Sequence, residues 1–329
     1  MRKARLLLML VAVIAAAVYI HRNYEFEGLQ NISLRPRGAA APTQPVGVEP
    51  PGREAADTIR IASFNIQVFG TSKASKPEVM NILAEVIRSF DVVAIQEIRS
   101  KDETLLPRFV ELINSTGVRY DYAIGPRLGR TSSKEQYAFI FNTATIEIDR
   151  SPSATYTIPD PQDLLHREPL VGMFRCRGPE PDRAFTFRLI NIHTDPDEVK
   201  SEINVLDDVV RAVLADGRQE DDVILLGDLN ASEHELGELG QMSGITWAIA
   251  DTPTNTKGTK SYDNILFFAR ETNEYTGRSG VVDMVRRFNK ETEWIYSEVS
   301  DHLPVWAEFS IHEGGNRGRV ATRPEAPAK

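Results

Sequence analysis

Polar side chains that can act as acids, bases or metal ligands stand at the ends of several apolar segments of this chain. "LINIHTDP" carries His193 after an apolar run, and "SEVSDHLPVW" carries Asp301 and His302. Imidazole titrates near neutral pH and can take or give a proton, whereas carboxylates bind divalent cations and orient imidazoles. A single histidine at a strand end is more often a packing residue, so the rest of the chain has to decide its role.

The same pattern recurs at further segment ends. "IASFNIQVFG" places Asn65 after apolar residues, "VVAIQEIRS" places Glu97, and "SYDNILFF" supplies Asp263. In "DVILLGDLNA", Asp228 and Asn230 are two residues apart, so both side chains can point to one face of an extended segment. An isolated Asp or Asn in such a place is usually a turn or cap residue, but six ends of this kind predict a shared site.

Those residues must be positioned by short strands that alternate with amphipathic helices. Apolar patterning predicts strands near 59–66, 91–97, 136–142, 184–192, 222–227, 263–269 and 303–311, and helices near 76–89, 102–114 and 197–215. Several neighbouring strands have no helix between them, and the strands are too many for one sheet. The sequence therefore predicts an α/β (α+β) sandwich of two sheets flanked by helices rather than a doubly wound fold.

The 329 residues suit one large domain with tails at both ends. Basic residues precede an apolar run from Leu6 to Ile20, which predicts a signal peptide or an uncleaved signal anchor over residues 1–21 and places the rest of the chain outside the cytoplasm. Residues 22–57 are rich in Pro, Gly and Ala and indicate a linker, and residues 312–329 indicate a disordered tail. The folded domain is therefore expected over 58–311, secreted or tethered to a membrane.

Composition and charge narrow the class of protein. A hydrophobic fraction of 41% and a charged fraction of 26% exclude a disordered or fibrous chain. The formal net charge of −9 is opposite in sign to that of most nucleic-acid binders, although basic residues occur in loops beside the polar segment ends. Because Cys176 is the only cysteine, no intrachain disulfide can form, and an exported protein would depend on core packing or bound ions.

The motifs resemble those of the deoxyribonuclease I family, within the endonuclease/exonuclease/phosphatase superfamily. Matching stretches occur in the family's order across residues 58–311: "SFNIQVFG", "QEIRS", "RTSSKEQYAFIF", "REPLVGMF", "HTDPDEVKSEINVLDDV", "GDLNA", "YDNI" and "SDHLPV". "GDLNA" and "SDHLPV" are shared across the superfamily, whereas "KEQYAF" and "EINVLDDV" are typical of deoxyribonuclease I. The resemblance implies a four-layer α/β/β/α sandwich of two mostly antiparallel sheets and a hydrolase that cleaves DNA.

The resemblance also implies roles for the polar residues. His193 with Glu135 and His302 with Asp263 are expected to form two acid/base pairs at the scissile phosphate, and either histidine can be the base. Expected oxygen ligands of Mg²⁺ or Mn²⁺ are Asn65, Glu97, Asp301, Asp228 and Asn230, of which Asp228 is also expected to take part in catalysis. Expected contacts to DNA phosphates are Arg99, Arg167 and Asn230, with Arg130 and Lys134 in a basic loop.

The sequence leaves several alternatives open. "DTPTNT" at 251–256 resembles a structural Ca²⁺ loop with Asp251 and Thr254 as candidate ligands, but it fits an ordinary turn equally well. Duplex DNA is favoured over single strands as the partner, and a monomer is the default for an undetermined oligomeric state. The alternative functions are a sphingomyelinase-like or inositol-phosphate phosphoesterase of the same superfamily and a catalytically silent binding module.

Overall fold

The computed structural model describes residues 57–131, 134–218 and 220–315, together with the backbone of two short strands nearer the N-terminus. The chain divides into two units, Met1–Pro45 and Val46–Lys329. In the first unit, Tyr24–Glu27 pairs with Ser33–Pro36 as a two-stranded antiparallel sheet. The predicted signal segment over 1–21 lies outside the described residues, as does the predicted tail beyond residue 315. Among the residues described, no helix combines the length and the apolar character that a membrane span requires.

The second unit contains two sheets. The first sheet has six strands, in the spatial order Tyr275–Val281, Val305–Ser310, Thr58–Phe69, Val92–Ile98, Gln136–Asn142 and Tyr120–Ile124. The second sheet has seven strands, in the order Ile245–Trp247, Asp263–Phe268, Val223–Asp228, Thr186–His193, Leu170–Cys176 and Ile146–Asp149, with Tyr156–Thr157 also paired to Leu170–Cys176. One strand pair in each sheet is parallel and the others are antiparallel.

Helices cover the outer faces of both sheets. Leu105–Asn114 contacts the edge strand of the first sheet and packs against Pro77–Ile87, whereas Leu206–Leu214 contacts Val223–Asp228 of the second. Shorter helical segments are Thr71–Ala74, Val199–Ile203, Leu239–Gln241, Met284–Phe288, Thr292–Trp294 and Ile295–Val299. The architecture is a four-layer α/β/β/α sandwich of two mostly antiparallel sheets, and it confirms the predicted fold.

The strand Val223–Asp228 shows why the chain folds as a sandwich. All of its residues are buried. Ile224 and Leu226 belong to the large apolar core that includes both sheets, whereas Leu225 packs with Val209 in a second core beneath Leu206–Leu214. Because side chains alternate between the two faces of a strand, an apolar run without polar interruptions must be covered on both sides.

The structure differs from the predicted elements in two respects. The single helix predicted over 197–215 is two helices, Val199–Ile203 and Leu206–Leu214. Between them, the Asn204 side chain accepts a hydrogen bond from Glu238 N (3.0 Å), and asparagine commonly leaves a helix to bond backbone groups. Within the second unit, the sequence interpretation also missed six strands, four of which are the edges of the two sheets, where half-exposed residues weaken the apolar pattern: Tyr120–Ile124, Ile146–Asp149, Tyr156–Thr157, Leu170–Cys176, Ile245–Trp247 and Tyr275–Val281.

Candidate active site

The carboxyl ends of the two parallel strand pairs bring candidate residues together. In the second sheet His193 is in register with Asp228, and Asp228 is in register with Asp263. In the first sheet Asn65 and Glu97 lie near the corresponding ends of the parallel pair. Asn65 Nδ2 donates a hydrogen bond to Asp228 Oδ2 at 2.9 Å, so the two sheets contribute to one site.

A glycine permits the close approach of the strands beside Asp228. Gly227 has a φ of +152°, and a Cβ there would lie 2.0 Å from the carbonyl oxygen of Ile192. Any other residue at this position would push Asp228 away from the neighbouring strand. Directly beyond, Asn230 donates from its backbone N to Asp228 Oδ1 (2.9 Å) and from Nδ2 to the Thr194 carbonyl oxygen (3.0 Å).

Irregular backbone in the first sheet aims Glu97 into the site. The strand register shifts after Asn65, and Gln67, Val68 and Glu97 all have positive φ. Val68 N donates to Glu97 Oε2 (2.8 Å), and Asn65 Nδ2 donates to Glu97 Oε1 (3.2 Å). Bulges of this kind re-aim side chains, and the backbone strain that they carry is concentrated at functional sites.

Two histidine–carboxylate pairs converge on Asp228. His193 Nδ1 lies 2.7 Å from Glu135 Oε1, and His302 Nδ1 lies 2.9 Å from Asp263 Oδ2. Their Nε2 atoms lie 3.5 Å and 3.4 Å, respectively, from the same oxygen, Asp228 Oδ2. Each imidazole therefore has one nitrogen oriented by its own carboxylate and the other nitrogen presented to a common point.

Burial and neighbouring charges set the pKa values of these groups. Burial lowers the pKa of both imidazoles, but nearby carboxylates raise it by more. The largest raising effect on the pKa of His193 comes from Glu135. The largest raising effect on the pKa of His302 comes from Asp228, and the pKa of His302 lies well above its usual range. Burial alone would raise the pKa of Asp228, yet the two histidines hold it below its ordinary value. Burial raises the pKa of Asp263 in spite of His302, and the Asp228 carboxylate adds to that rise.

Residues that the sequence interpretation did not single out hold the histidines in place. The Tyr137 hydroxyl accepts a hydrogen bond from His193 N (2.9 Å). Ser300 Oγ donates to the Asn65 carbonyl oxygen (2.7 Å) and accepts from His302 N (3.0 Å). Tyr137 lies two residues after Glu135, so strand alternation could have indicated it. Nothing in the sequence distinguishes Ser300 from an ordinary turn serine.

Two of the basic residues lie against Glu135. Arg167 is buried, with its Nε 2.9 Å from Glu135 Oε1, and it donates from Nη1 to the His193 carbonyl oxygen (3.2 Å). Arg99 lies with its Nη2 3.0 Å from Glu97 Oε2 and its Nε 3.7 Å from Glu135 Oε2. The Arg99 side chain is 30% exposed and that of Arg167 only 7%, so Arg99 is the more accessible to a substrate.

The other two basic residues occupy an exposed loop. Arg130 pairs with Asp163, at 3.1 Å, and with Glu198, at 2.8 Å. Lys134 is exposed, and its backbone carbonyl oxygen accepts from Arg127 Nη2 (2.7 Å). The charge of Arg130 is therefore shared with two carboxylates, whereas that of Lys134 faces solvent.

Oxygen donors suited to a divalent cation surround the histidine pairs. Glu97 and Asp228 are linked by Asn65, whose Nδ2 donates to both carboxylates. Asp301 is close by, with Oδ1 3.9 Å from His302 Nε2 and with a pKa raised by burial and by the charge of Glu97, against the effect of His302. Carboxylates are the ligands that Mg²⁺ and Mn²⁺ prefer, so the chemistry of this donor set fits either ion.

The two residues of the predicted Ca²⁺ loop have different surroundings. The Thr254 hydroxyl is buried, donates to Asp263 Oδ2 (2.8 Å) and accepts from Tyr262 N (2.8 Å). The Asp251 side chain is 74% exposed and lies 3.6 Å from His234 Nε2. The Thr254 hydroxyl thus supports Asp263, and the Ca²⁺ site at "DTPTNT" stays a prediction.

Comparison with known proteins decides the family. The profile of the endonuclease/exonuclease/phosphatase family matches residues 62–302. The chain belongs to this family. Human deoxyribonuclease-1-like 2 is 31% identical over 290 residues, which cover 79% of this chain and 95% of the relative. Human deoxyribonuclease gamma is 31% identical over 272 residues, which cover 77% of this chain and 86% of the relative. Within the family, the chain therefore belongs to the deoxyribonuclease I group.

Solved structures of other proteins show the same fold at low sequence identity. A humanised TDP2 from D. rerio has a TM-score of 0.54 at 16% identity, covering 77% of this chain and 98% of its own. The human Nocturnin catalytic domain has a TM-score of 0.52 at 15% identity, covering 77% and 93%. At these identities the likeness establishes the sandwich fold and leaves the reaction to be argued from the site.

Proposed function

We propose that this chain is a divalent-cation-dependent endonuclease that hydrolyses phosphodiester bonds in DNA. The observation that carries the proposal is the pair of histidines whose Nε2 atoms converge on Asp228 while carboxylates hold their Nδ1 atoms. Two relatives named as deoxyribonucleases match this chain over most of their own length, which supports DNA as the substrate. Duplex DNA is the form that we expect to be cleaved.

The two pairs supply the proton transfers that phosphodiester hydrolysis needs. A bond forms between phosphorus and the attacking water oxygen while the bond from phosphorus to the leaving sugar oxygen breaks. One imidazole takes the proton of the water, and the other gives a proton to the leaving oxygen. His193 with Glu135 and His302 with Asp263 fit either role, because each has an Nδ1 oriented by its own carboxylate and an Nε2 directed towards Asp228 Oδ2.

The divalent cation would be held by Glu97, Asp228 and Asp301, with Asn65 and Asn230 as further donors. When bound, Mg²⁺ or Mn²⁺ neutralises charge on the phosphoryl oxygens. The oxygen Asp228 Oδ2 lies at the point that both imidazoles share. A phosphate oxygen near this point would meet the same two imidazoles, so the scissile phosphate is expected beside Asp228.

Basic side chains bordering the site would attract the DNA backbone. Arg99 is the accessible guanidinium beside Glu97, and Asn230 is half-buried next to Asp228. Lys134 adds an exposed positive charge on its loop, Arg130 would have to leave Asp163 and Glu198 to contact DNA, and the buried Arg167 holds Glu135 in position. Because contacts of this kind release counter-ions from DNA, binding should weaken as salt rises.

The N-terminal sequence supports a proposal about location. Basic residues precede the apolar run Leu6–Ile20, which favours export, with the catalytic domain either released or tethered through residues 1–21. An alkaline phosphatase reporter, which folds only where disulfides form, can be fused after residue 57. We expect it to be active in cells, and an inactive but expressed fusion would contradict export.

Covalently closed plasmid DNA distinguishes this proposal from its alternatives. The purified chain should nick the closed circle in Mg²⁺ or Mn²⁺ and lose this activity in EDTA, because an endonuclease needs no free end. Phosphoinositide and sphingomyelin vesicles, tested in parallel, should stay intact. A mock preparation from cells that lack the chain, purified identically, controls for contaminating nucleases.

Other results would favour a different function. Release of phosphocholine from sphingomyelin, or of inorganic phosphate from phosphoinositides, with intact plasmid would indicate the phosphoesterase alternative, which shares the same acid, base and metal residues. Binding of DNA without cleavage under every cation tested would indicate a silent binding module. Cleavage that persists equally in His193→Ala would show that the histidine pairs do not carry the reaction.

A further inference from the structure

A second cluster of carboxylates lies at the start of the strand that ends at Asp228. Asp222 immediately precedes this strand of the second sheet, Glu274 precedes an edge strand of the first sheet, and Glu313 comes after the last strand. One oxygen of each carboxylate lies within 4.8 Å of the other two. A strand of this length spans roughly 20 Å, so the cluster is separate from the candidate active site.

Two oxygens of the cluster are buried and lack a hydrogen-bond partner within the described part of the chain. They are Asp222 Oδ1 and Glu274 Oε2, and both residues are only 1% exposed. The Thr272 hydroxyl is near enough to Asp222 to oppose the rise of its pKa, but its geometry is not that of a hydrogen bond. Taking a carboxylate oxygen out of water without giving it a donor is unfavourable. The arrangement therefore suits a ligand that several oxygens can bind at once.

The remaining contacts of the cluster do not supply a counter-charge. Gly315 N donates to Glu274 Oε1 (3.1 Å), and Thr186 N donates to Glu313 Oε2 (3.3 Å). Among the residues that the structure describes, no lysine or arginine is a main influence on the pKa of Asp222, Glu274 or Glu313. Burial, and after it the charge of Glu274, raises the pKa of Asp222, as expected for crowded like charges.

We propose that Asp222, Glu274 and Glu313 bind a divalent cation, and that this cation is Ca²⁺. The ion would join the second sheet, the first sheet and the segment after the last strand. Ca²⁺ accepts six to eight oxygen ligands in irregular arrangements, whereas Mg²⁺ requires near-octahedral geometry. Glu220, whose Oε1 accepts from Asp222 N (3.0 Å), and water can complete such a shell. With one cysteine in the chain, the ion supplies a cross-link that no intrachain disulfide can.

Calorimetry of the full chain tests this site. We expect millimolar Ca²⁺, compared with EDTA, to raise the melting temperature by roughly 5 °C or more, because the ion binds only the folded state. Glu313→Gln is the first variant, since Glu313 is exposed and its replacement should not prevent folding. Asp222→Asn is the second. Both should bind one Ca²⁺ fewer by isothermal titration and lose most of the rise, with DNA cleavage in saturating Mg²⁺ unchanged.

Asp208→Asn is the matched control, because Asp208 is exposed on the helix Leu206–Leu214 and belongs to none of the possible metal-binding groups found among the described residues. It should keep the Ca²⁺ stoichiometry and the stabilisation of the unmodified chain. The proposal is overturned if Ca²⁺ fails to stabilise the unmodified chain, if Glu313→Gln and Asp222→Asn keep the full stoichiometry, or if Asp208→Asn loses the ion and the stabilisation equally. None of these outcomes depends on DNA cleavage, so the proposed nuclease activity stands or fails separately.

Discussion

The Asp228 carboxylate lies between the Nε2 atoms of two imidazoles, and its charge explains the electrostatics of both. Its oxygen Oδ2 is 3.5 Å from His193 Nε2 and 3.4 Å from His302 Nε2, and its charge raises the pKa of both imidazoles. For one histidine to act as a base, its Nε2 must give up a proton. A bound cation next to Asp228 would oppose the carboxylate's effect and lower the pKa of the imidazoles.

Removing either histidine should therefore remove most of the reaction. General acid or base catalysis contributes about 10²- to 10⁴-fold, so His193→Ala and His302→Ala should each slow plasmid nicking by at least about 100-fold. Glu135→Gln should also slow it, and the double variant with His193→Ala should lose much less than the product of the single losses. Circular dichroism of each variant controls for folding. Additive losses would show that Glu135 acts independently of His193.

The two exposed basic residues should differ in their effect on DNA binding. Lys134 has no carboxylate partner in the ion pairs described for its loop, whereas Arg130 pairs with Asp163 and Glu198. Lys134→Ala should weaken binding uniformly across sequences and reduce the salt slope by about one, with a smaller change for Arg130→Ala. Fluorescence anisotropy in Ca²⁺ and without Mg²⁺, at several salt concentrations, measures both. A larger effect of Arg130→Ala would mean that DNA displaces its acidic partners.

At the scale of elements, the bulged end of Thr58–Phe69 depends on one buried ammonium group. Lys73 Nζ donates to the carbonyl oxygens of Ile66 (2.7 Å), Gln67 and Val299 (2.6 Å), and burial lowers the pKa of Lys73 to about 8. These contacts fix the segment whose backbone holds Glu97. Lys73 and the Glu97 carboxylate therefore both hold the bulge in place through hydrogen bonds to its backbone.

Lys73→Met keeps the aliphatic chain and removes the three contacts. A hydrogen bond to a charged group contributes about 1.5–3 kcal/mol to the stability of the structure that it holds. Without these bonds the bulge should no longer hold Glu97 in position, so we expect at least about a tenfold loss of cleavage and a higher Mg²⁺ concentration for half-maximal rate. Lys76→Met is the control, since Lys76 pairs with Glu298 at a half-exposed position. A lower melting temperature with an unchanged Mg²⁺ requirement would limit Lys73 to a role in folding.

The elements also show what a sequence can and cannot reveal. Asp228 and Asn230 stand out because an apolar strand ends directly before them, and that signal is local. Glu135 and His193 are 58 residues apart, and their contact depends on how distant strands are arranged, so only the family resemblance suggested it. Lys73 gave no signal, because its partners are backbone carbonyls that the fold brings to it. The edge strands were also not predicted, because which of their faces is buried depends on the elements that the fold packs against them.

At the scale of the whole molecule, the catalytic domain should fold without the residues before Asp57. The first strand of the sandwich begins at Thr58, and the Asp57 carbonyl oxygen accepts from Ile311 N (3.0 Å), so the described part of the second unit begins with a residue that already contacts the fold. A chain that starts at Asp57 should keep its melting temperature and its nicking rate. Loss of folding would show that residues before Asp57 belong to the fold and would count against the proposed role of Leu6–Ile20 in export.

The pH dependence of stability tests the charge crowding at Asp222 without any added ion. Burial and the neighbouring Glu274 raise the pKa of Asp222 far above the ordinary aspartate value of about 3.9. A raised pKa means that the folded state holds a proton that the unfolded chain has released. This contribution to stability is complete below about pH 3.9 and is lost as the pH rises towards the pKa of the folded state.

Urea unfolding in EDTA, measured between pH 5 and 8, should therefore give different pH profiles for the unmodified chain and Asp222→Asn. The variant cannot titrate at this position. As the pH rises, the free energy of unfolding of the variant should therefore increase relative to that of the unmodified chain, by up to about 1.4 kcal/mol per pH unit. The Asp251 side chain is largely exposed, so the pH profile of Asp251→Asn should run parallel to that of the unmodified chain. In saturating Ca²⁺ the unmodified chain should instead be more stable than Asp222→Asn, because the ion binds the Asp222 carboxylate, which the variant lacks. Parallel profiles for Asp222→Asn and the unmodified chain would show that Asp222 ionises freely in the folded protein.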